Sequence, residues 1–142
     1  MKRREAREQA FALIFARSVS REAMEEIIAA AKEAEAVKID DFAERTAMGV
    51  ATNEAVLDEK IRDFTRGWAV GRLSKAALSI LRLAVYEICY VADVPDNVAI
   101  SEAVLLARKY SSEESRSYIN AVLGRLNTEL QQKGKEQEVE KE

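Results

Sequence analysis

Apolar positions recur along this chain at spacings of three and four, the period of an α-helix with one buried face. Ala6, Ala10, Leu13, Ile14 and Arg17 define such a face and predict a first helix over about residues 3–18. A second begins near Arg21 and carries Met24, Ile27, Ile28 and Ala31. After the connecting stretch AEAVKIDD, Asp40 or Asp41 caps a third helix that holds Phe42, Ala43, Thr46, Ala47, Val50 and Ala51. The pattern returns from Asn53 to Phe64 through Val56, Leu57 and Ile61. RGWAVGRLS, with Gly67 and Gly71, reads as a connector between two halves.

The second half opens with SKAALSILRLAVYEICY, apolar nearly all round, and predicts a central buried helix with Ser74 as its N-cap. Pro95 closes what precedes it. The next helix spans Asn97 to Tyr110 with Ile100, Ala103, Val104 and Ala107 inward. Ser111 and Ser112 offer a fresh cap, and Ile119, Val122, Leu123, Leu126 and Leu130 form the stripe of the last helix. From Gln131 the segment QQKGKEQEVEKE is polar and aperiodic, which predicts a disordered tail over 131–142. The expectation is an all-α domain of about seven helices, packed as two subbundles over roughly 1–66 and 67–130.

Composition narrows the chemistry. The 142 residues suit one domain, and five Gly and one Pro leave helix formers dominant. The chain has no His, which excludes Ser-His-Asp and Cys-His catalysis and His-containing metal sites. Cys89, the one cysteine, cannot close a disulfide within the chain, and its apolar surroundings predict a buried structural thiol. No glycine-rich phosphate loop occurs, and no carboxylate pair supports acid–base work. The expectation is a protein without catalytic residues, metal or cofactor. No apolar run is long enough to span a membrane, and Glu5 and Glu8 break the basic start as a signal peptide. A cytoplasmic location follows.

Charge adds the main functional clue. The chain carries 22 Lys+Arg against 25 Asp+Glu, a net charge of −3, yet Lys2, Arg3, Arg4 and Arg7 crowd its first seven residues. At about 100° per residue, Arg4, Phe11 and Phe15 fall within about 40° of one another, and Arg7 lies about 40° beyond Phe11. Guanidinium groups beside rings suit single-stranded RNA, where phosphates take charge-assisted hydrogen bonds and unstacked bases take planar partners. The same spacing equally fits core phenylalanines beside solvated arginines.

A second basic stretch holds Arg62, Arg66, Arg72, Lys75 and Arg82 against Asp63 alone. Lys75, Ser79, Arg82, Tyr86 and Tyr90 form one polar edge of the central helix. That edge either reaches the surface or satisfies a buried network, with Arg82 pairing Glu87 or Glu102. Glu114 and Tyr118 share a face one turn apart, with Tyr118 either in the core or presented to a base.

The motifs RREAREQAFALIF, Trp68 with Arg72–Leu73, ILRLAVYEI, DVPDNVAISEAVLLARKY and YINAVL occur in this order, and over about residues 2–130 the chain resembles the NusB family of transcription antitermination factors. The resemblance implies a compact helical fold of two subbundles without catalytic activity. It implies binding of single-stranded boxA-type RNA, notably in ribosomal RNA leaders. The partners it implies are the small-subunit ribosomal protein NusE, the other Nus factors and RNA polymerase. By position, Lys2, Arg3, Arg4, Arg7, Phe15 and Arg72 fall in the RNA-binding set, with Glu114, Tyr118 and Asn120 at the RNA-facing end of the last helix. Lys75, Arg82 and Tyr86 are candidates for the partner interface. Phe15 replaces a tyrosine common in the family, so stacking survives and a hydroxyl contact does not. Ala12 replaces a glutamine, and Ala77 an acidic residue. The alternatives are a NusB-like homodimer that masks the RNA surface, or an RNA-binding module of ribosomal RNA processing.

Overall fold

A computed structural model of the chain describes residues 1–34, 38–65 and 73–141, with the backbone alone from 130 onward. The described residues form seven helices and no strand. They are α1 (Arg3–Ser20), α2 (Met24–Glu33), α3 (Asp41–Thr52), α4 (Glu54–Thr65), α5 (Lys75–Tyr90), α6 (Asp96–Tyr110) and α7 (Glu113–Lys141). Most of the glycine-bearing connector, including Arg72, lies outside the described residues.

Local chemistry sets most boundaries. The Asp40 carboxylate accepts from the Phe42 N–H at 2.8 Å and starts α3. The Ser74 hydroxyl accepts from the Ala77 N–H at 3.1 Å and starts α5. Ser112 caps α7 in the same way, accepting from Ser115 at 3.2 Å. Pro95 stands at the N-cap of α6, where its carbonyl accepts from Val98 and Ala99 at 3.0 and 3.1 Å.

Two boundaries differ from the expected ones. The second helix begins at Met24 rather than near Arg21, because Arg21 closes α1 in the left-handed region at φ 62°. The Arg21 N–H donates to the Arg17 carbonyl at 2.8 Å, and the chain must then extend before it can coil again. At the other end, the backbone continues as helix through 131–141, where polarity predicts a disordered tail. Gln, Lys and Glu are good helix formers, so the backbone can coil there without an apolar stripe.

α5 is the centre of the molecule. It packs against α1, α3, α4, α6 and α7, and nine of its sixteen residues are buried. That leaves it no solvated face in the middle, which is why its sequence is apolar nearly all round. The cover thins at its C-terminal end. Cys89 lies there and is exposed, correcting the expectation of a buried thiol. α1 packs against α2, α3 and α5 and brings its first two turns beside α6 as well.

Candidate nucleic-acid interface

α1 enters the bundle between the start of α3 and the middle of α6, so its basic residues divide among neighbours on different helices. Lys2 occupies the N-cap and is exposed. The Arg3 guanidinium lies 4.0 Å from the centroid of the Phe42 ring, with its outer side in solvent. Arg4 reaches α6, where its Nε and Nη2 donate to the Glu102 carboxylate at 3.0–3.3 Å. The Arg4 side chain stays 66% exposed, and the hydrogen bond to Glu102 raises its pKa. These cations can exchange their present contacts for a phosphate.

Arg7 has a different environment. It is 4% exposed, and its Nε donates to Glu87 of α5 at 2.8 Å. Glu87 is itself 1% exposed. Burial pushes the Glu87 carboxyl above its ordinary range and Glu102 adds to this, while Arg7 and Arg3 pull it back. Arg7, expected as an RNA contact, thus has its guanidinium inside the bundle, paired with Glu87. The physical reason lies in the partner helix, since an acid in the middle of a buried helix needs a cation.

Phe15 is 36% exposed and stacks on the buried Phe11, with centroids 6.0 Å apart and planes 19° apart. The two readings left open by spacing therefore divide between the rings: Phe11 is core and Phe15 is presented. Gln9 holds the approach to α3 against α1, donating to the Lys38 carbonyl at 3.1 Å and accepting from the Asp40 N–H at 2.9 Å. Phe42, and with it Arg3, is thereby fixed relative to the helix.

Of the α7 residues, Asn120 stands apart from the other two. Glu114 is exposed in the first turn of α7, just past the end of α6. Tyr118 is half-buried, and burial raises its phenol pKa while a hydrogen bond with Thr65 of α4 opposes the shift. Asn120 is exposed, about 200° round the helix from Tyr118. One α7 face thus cannot present both residues.

The proposed partner-facing residues also divide. Lys75 is exposed at the start of α5. Arg82 is buried and pairs with neither Glu87 nor Glu102, as its spacing had suggested. It donates to Asp58 at 2.8 and 2.9 Å and pairs with Glu54 at 3.0 Å. Arg17 joins the same chain of charges through Glu54 at 3.0 Å. The reason is rotation: Arg82 points to α4, whereas Glu87 faces α1. Tyr86 is half-buried against Gly49 of α3, where a Cβ would collide with the phenol, and stacks on Tyr90 at 5.2 Å.

Three contributors escaped the sequence reading. Tyr110, Lys109 and Glu8 complete the face between α1 and α6: Lys109 pairs with Glu8 at 2.9 Å, and the Tyr110 ring lies 4.8 Å from Phe11. The helical spacing of Glu8 and the aromatic end of ARKY were visible, but nothing local placed them side by side. Among the described residues no cluster of three or more His, Cys, Asp or Glu is arranged to hold a metal ion.

A seven-helix bundle that presents cations at the start of its first helix and a ring about three turns further along has the form of a nucleic-acid-binding adaptor. The NusB family model matches residues 4–128, and the chain belongs to the NusB family. The transcription antitermination protein NusB of Clostridium botulinum (strain Kyoto / Type A2) is 38% identical over 142 residues, spanning 89% of this chain and 99% of that one. A structure of T. maritima NusB is 31% identical with a TM-score of 0.80, over 91% of this chain and 92% of that one. A structure of the antitermination factors NusB and NusE in complex with dsRNA, 22% identical, shares the fold with a TM-score of 0.75, over 86% of this chain and 92% of that one.

Proposed function

We propose that this chain is an RNA-binding adaptor of transcription antitermination that holds single-stranded boxA-type RNA along the start of α1. The observation that carries this reading is the outward presentation of Arg3 and Arg4 in the first turn of α1 and of exposed Phe15 about three turns further along it, in a chain of net charge −3. Lys2, Arg3 and Arg4 take phosphates, and Phe15 takes a base. Arg7 orients the helix that carries them. Glu114 and Asn120 offer an acceptor and an amide to bases that run on towards α7, and Tyr118 supports that helix from below. Arg72 belongs to the same basic set by sequence. The acidic remainder of the surface limits indiscriminate RNA binding.

A patch of this size binds weakly alone. With three to four phosphates engaged, log K falls with log salt at a slope of about −2 to −3. A small-subunit ribosomal protein of the NusE type, seated where Lys75 is exposed, extends the groove and adds avidity. Arg82 and Tyr86 brace that side from inside. The pair acts with other Nus factors and RNA polymerase in the cytoplasm, as an adaptor rather than a catalyst. Among the described residues, no helix is long and apolar enough to cross a membrane.

Fluorescence anisotropy with a labelled boxA-type RNA and a scrambled control, with and without the ribosomal partner, tests this reading. Tighter, sequence-dependent binding with the partner, lost in Arg3→Ala/Arg4→Ala, is the expected result. Equal binding to both RNAs, unchanged in the variant, would overturn it. Sedimentation of the same samples separates this reading from a homodimer that masks the face.

A further inference from the structure

Three rings stand in a row between α1 and the end of α6. Phe11, in the middle, is 5% exposed, while Phe15 and Tyr110 flank it at 36% and 40%. The Phe11–Phe15 centroids are 6.0 Å apart and the Phe11–Tyr110 centroids 4.8 Å apart. Tyr110 is held in place on several sides. Its ring tilts at 31° against Phe11, its hydroxyl donates to Glu8 at 3.4 Å, and the Lys109 ammonium lies 5.4 Å from its centroid. Lys109 in turn donates to both Glu8 carboxylate oxygens, at 2.9 and 3.0 Å.

A large ring kept this exposed and this well anchored offers stacking area at little further entropy cost. Its cation lies over the ring, 5.4 Å from the centroid, so a base that stacks there takes the place of the ammonium. A phosphate can take Lys109 from Glu8, and the carboxylate repels the backbone from its own side. The strand is then directed so that its base falls on the ring.

We propose that Tyr110, together with Lys109, is a second stacking position for single-stranded RNA, taking the base next to the one held at Phe15. This inference rests on the RNA-binding role of α1 and extends that face onto α6.

The test uses the full chain and a boxA-type RNA carrying 4-thiouridine. Tyr110→Leu is expected to weaken binding about tenfold, and Tyr110→Phe to leave it within about twofold, because any aromatic face stacks. Thermal melting of both variants shows whether they fold. Photo-cross-linking of the wild type, mapped by mass spectrometry, is expected to place an adduct at Tyr110 as well as on α1. If Tyr110→Leu fails to fold, that map decides the matter: an adduct at Tyr110 supports the inference, and adducts confined to α1 overturn it.

If the wild type binds, Arg3→Ala/Arg4→Ala weakens binding and folded Tyr110→Leu binds like the wild type, the second position is overturned while the α1 interface stands. If the wild type binds no RNA, the functional reading fails and this inference with it.

Discussion

Arg4 and Arg7 sit one turn apart on the same helix and have opposite environments. Arg4 lies over the rim, in water, clasped by Glu102. Arg7 lies inside, committed to Glu87. Both are arginines of one basic cluster, and a helical wheel puts both near Phe11. What separates them is the neighbour: α6 offers Arg4 a carboxylate at the surface, and α5 offers Arg7 one in the core. A surface ion pair is weak and exchangeable, whereas a buried pair resists loss of either partner. Basic residues at a helix start therefore do not form one patch; burial divides them into an exposed set and a buried set.

The sharpest way to break this division is Arg7→Ala. It leaves Glu87 buried and unpaired, and should destabilise the fold by about 3–5 kcal/mol in urea titration. Arg7→Met combined with Glu87→Leu removes both charges at similar volume and should recover most of that loss. Arg82→Ala is expected to cost less, about 1–3 kcal/mol, because Asp58 and Glu54 lie near the surface and water can reach them once the guanidinium is gone.

A pH series gives a smaller effect of defined sign. The folded state raises the Glu87 pKa, so it holds that proton more tightly than the unfolded chain does. The contribution of this group to stability therefore falls as pH rises from the ordinary carboxylate range through the higher folded value, and is level above it. Urea midpoints from about pH 4 to pH 8 should lose this component in Glu87→Gln.

Much of the fold was legible in the sequence because helices announce themselves locally. Asp40 and Ser74 could be read as caps from their own segments, and the nearly all-round apolarity of α5 marked it as central. The candidate site was legible only in part. The exposed set of Arg3, Arg4 and Phe15 could be singled out because its signal lies within one helix. The burial of Arg7 was not legible because its partner is 80 residues away on α5, and the pairing of Arg82 was misread because its partner lies 24 residues back on α4. Tyr110 was missed because it meets Phe11 across 99 residues of chain, a contact that no period in either helix encodes.

The central claim is that Arg3 and Arg4 reach phosphate while Arg7 does not. The salt dependence of RNA affinity measures this most directly, compared between wild type, Arg3→Ala/Arg4→Ala and the folded Arg7→Met/Glu87→Leu. The account predicts that the first variant flattens the slope of log K against log salt by about 1.4, near 0.7 per lost phosphate contact, and that the second leaves the slope unchanged. An unchanged slope in Arg3→Ala/Arg4→Ala together with a flattened one in Arg7→Met/Glu87→Leu would contradict it.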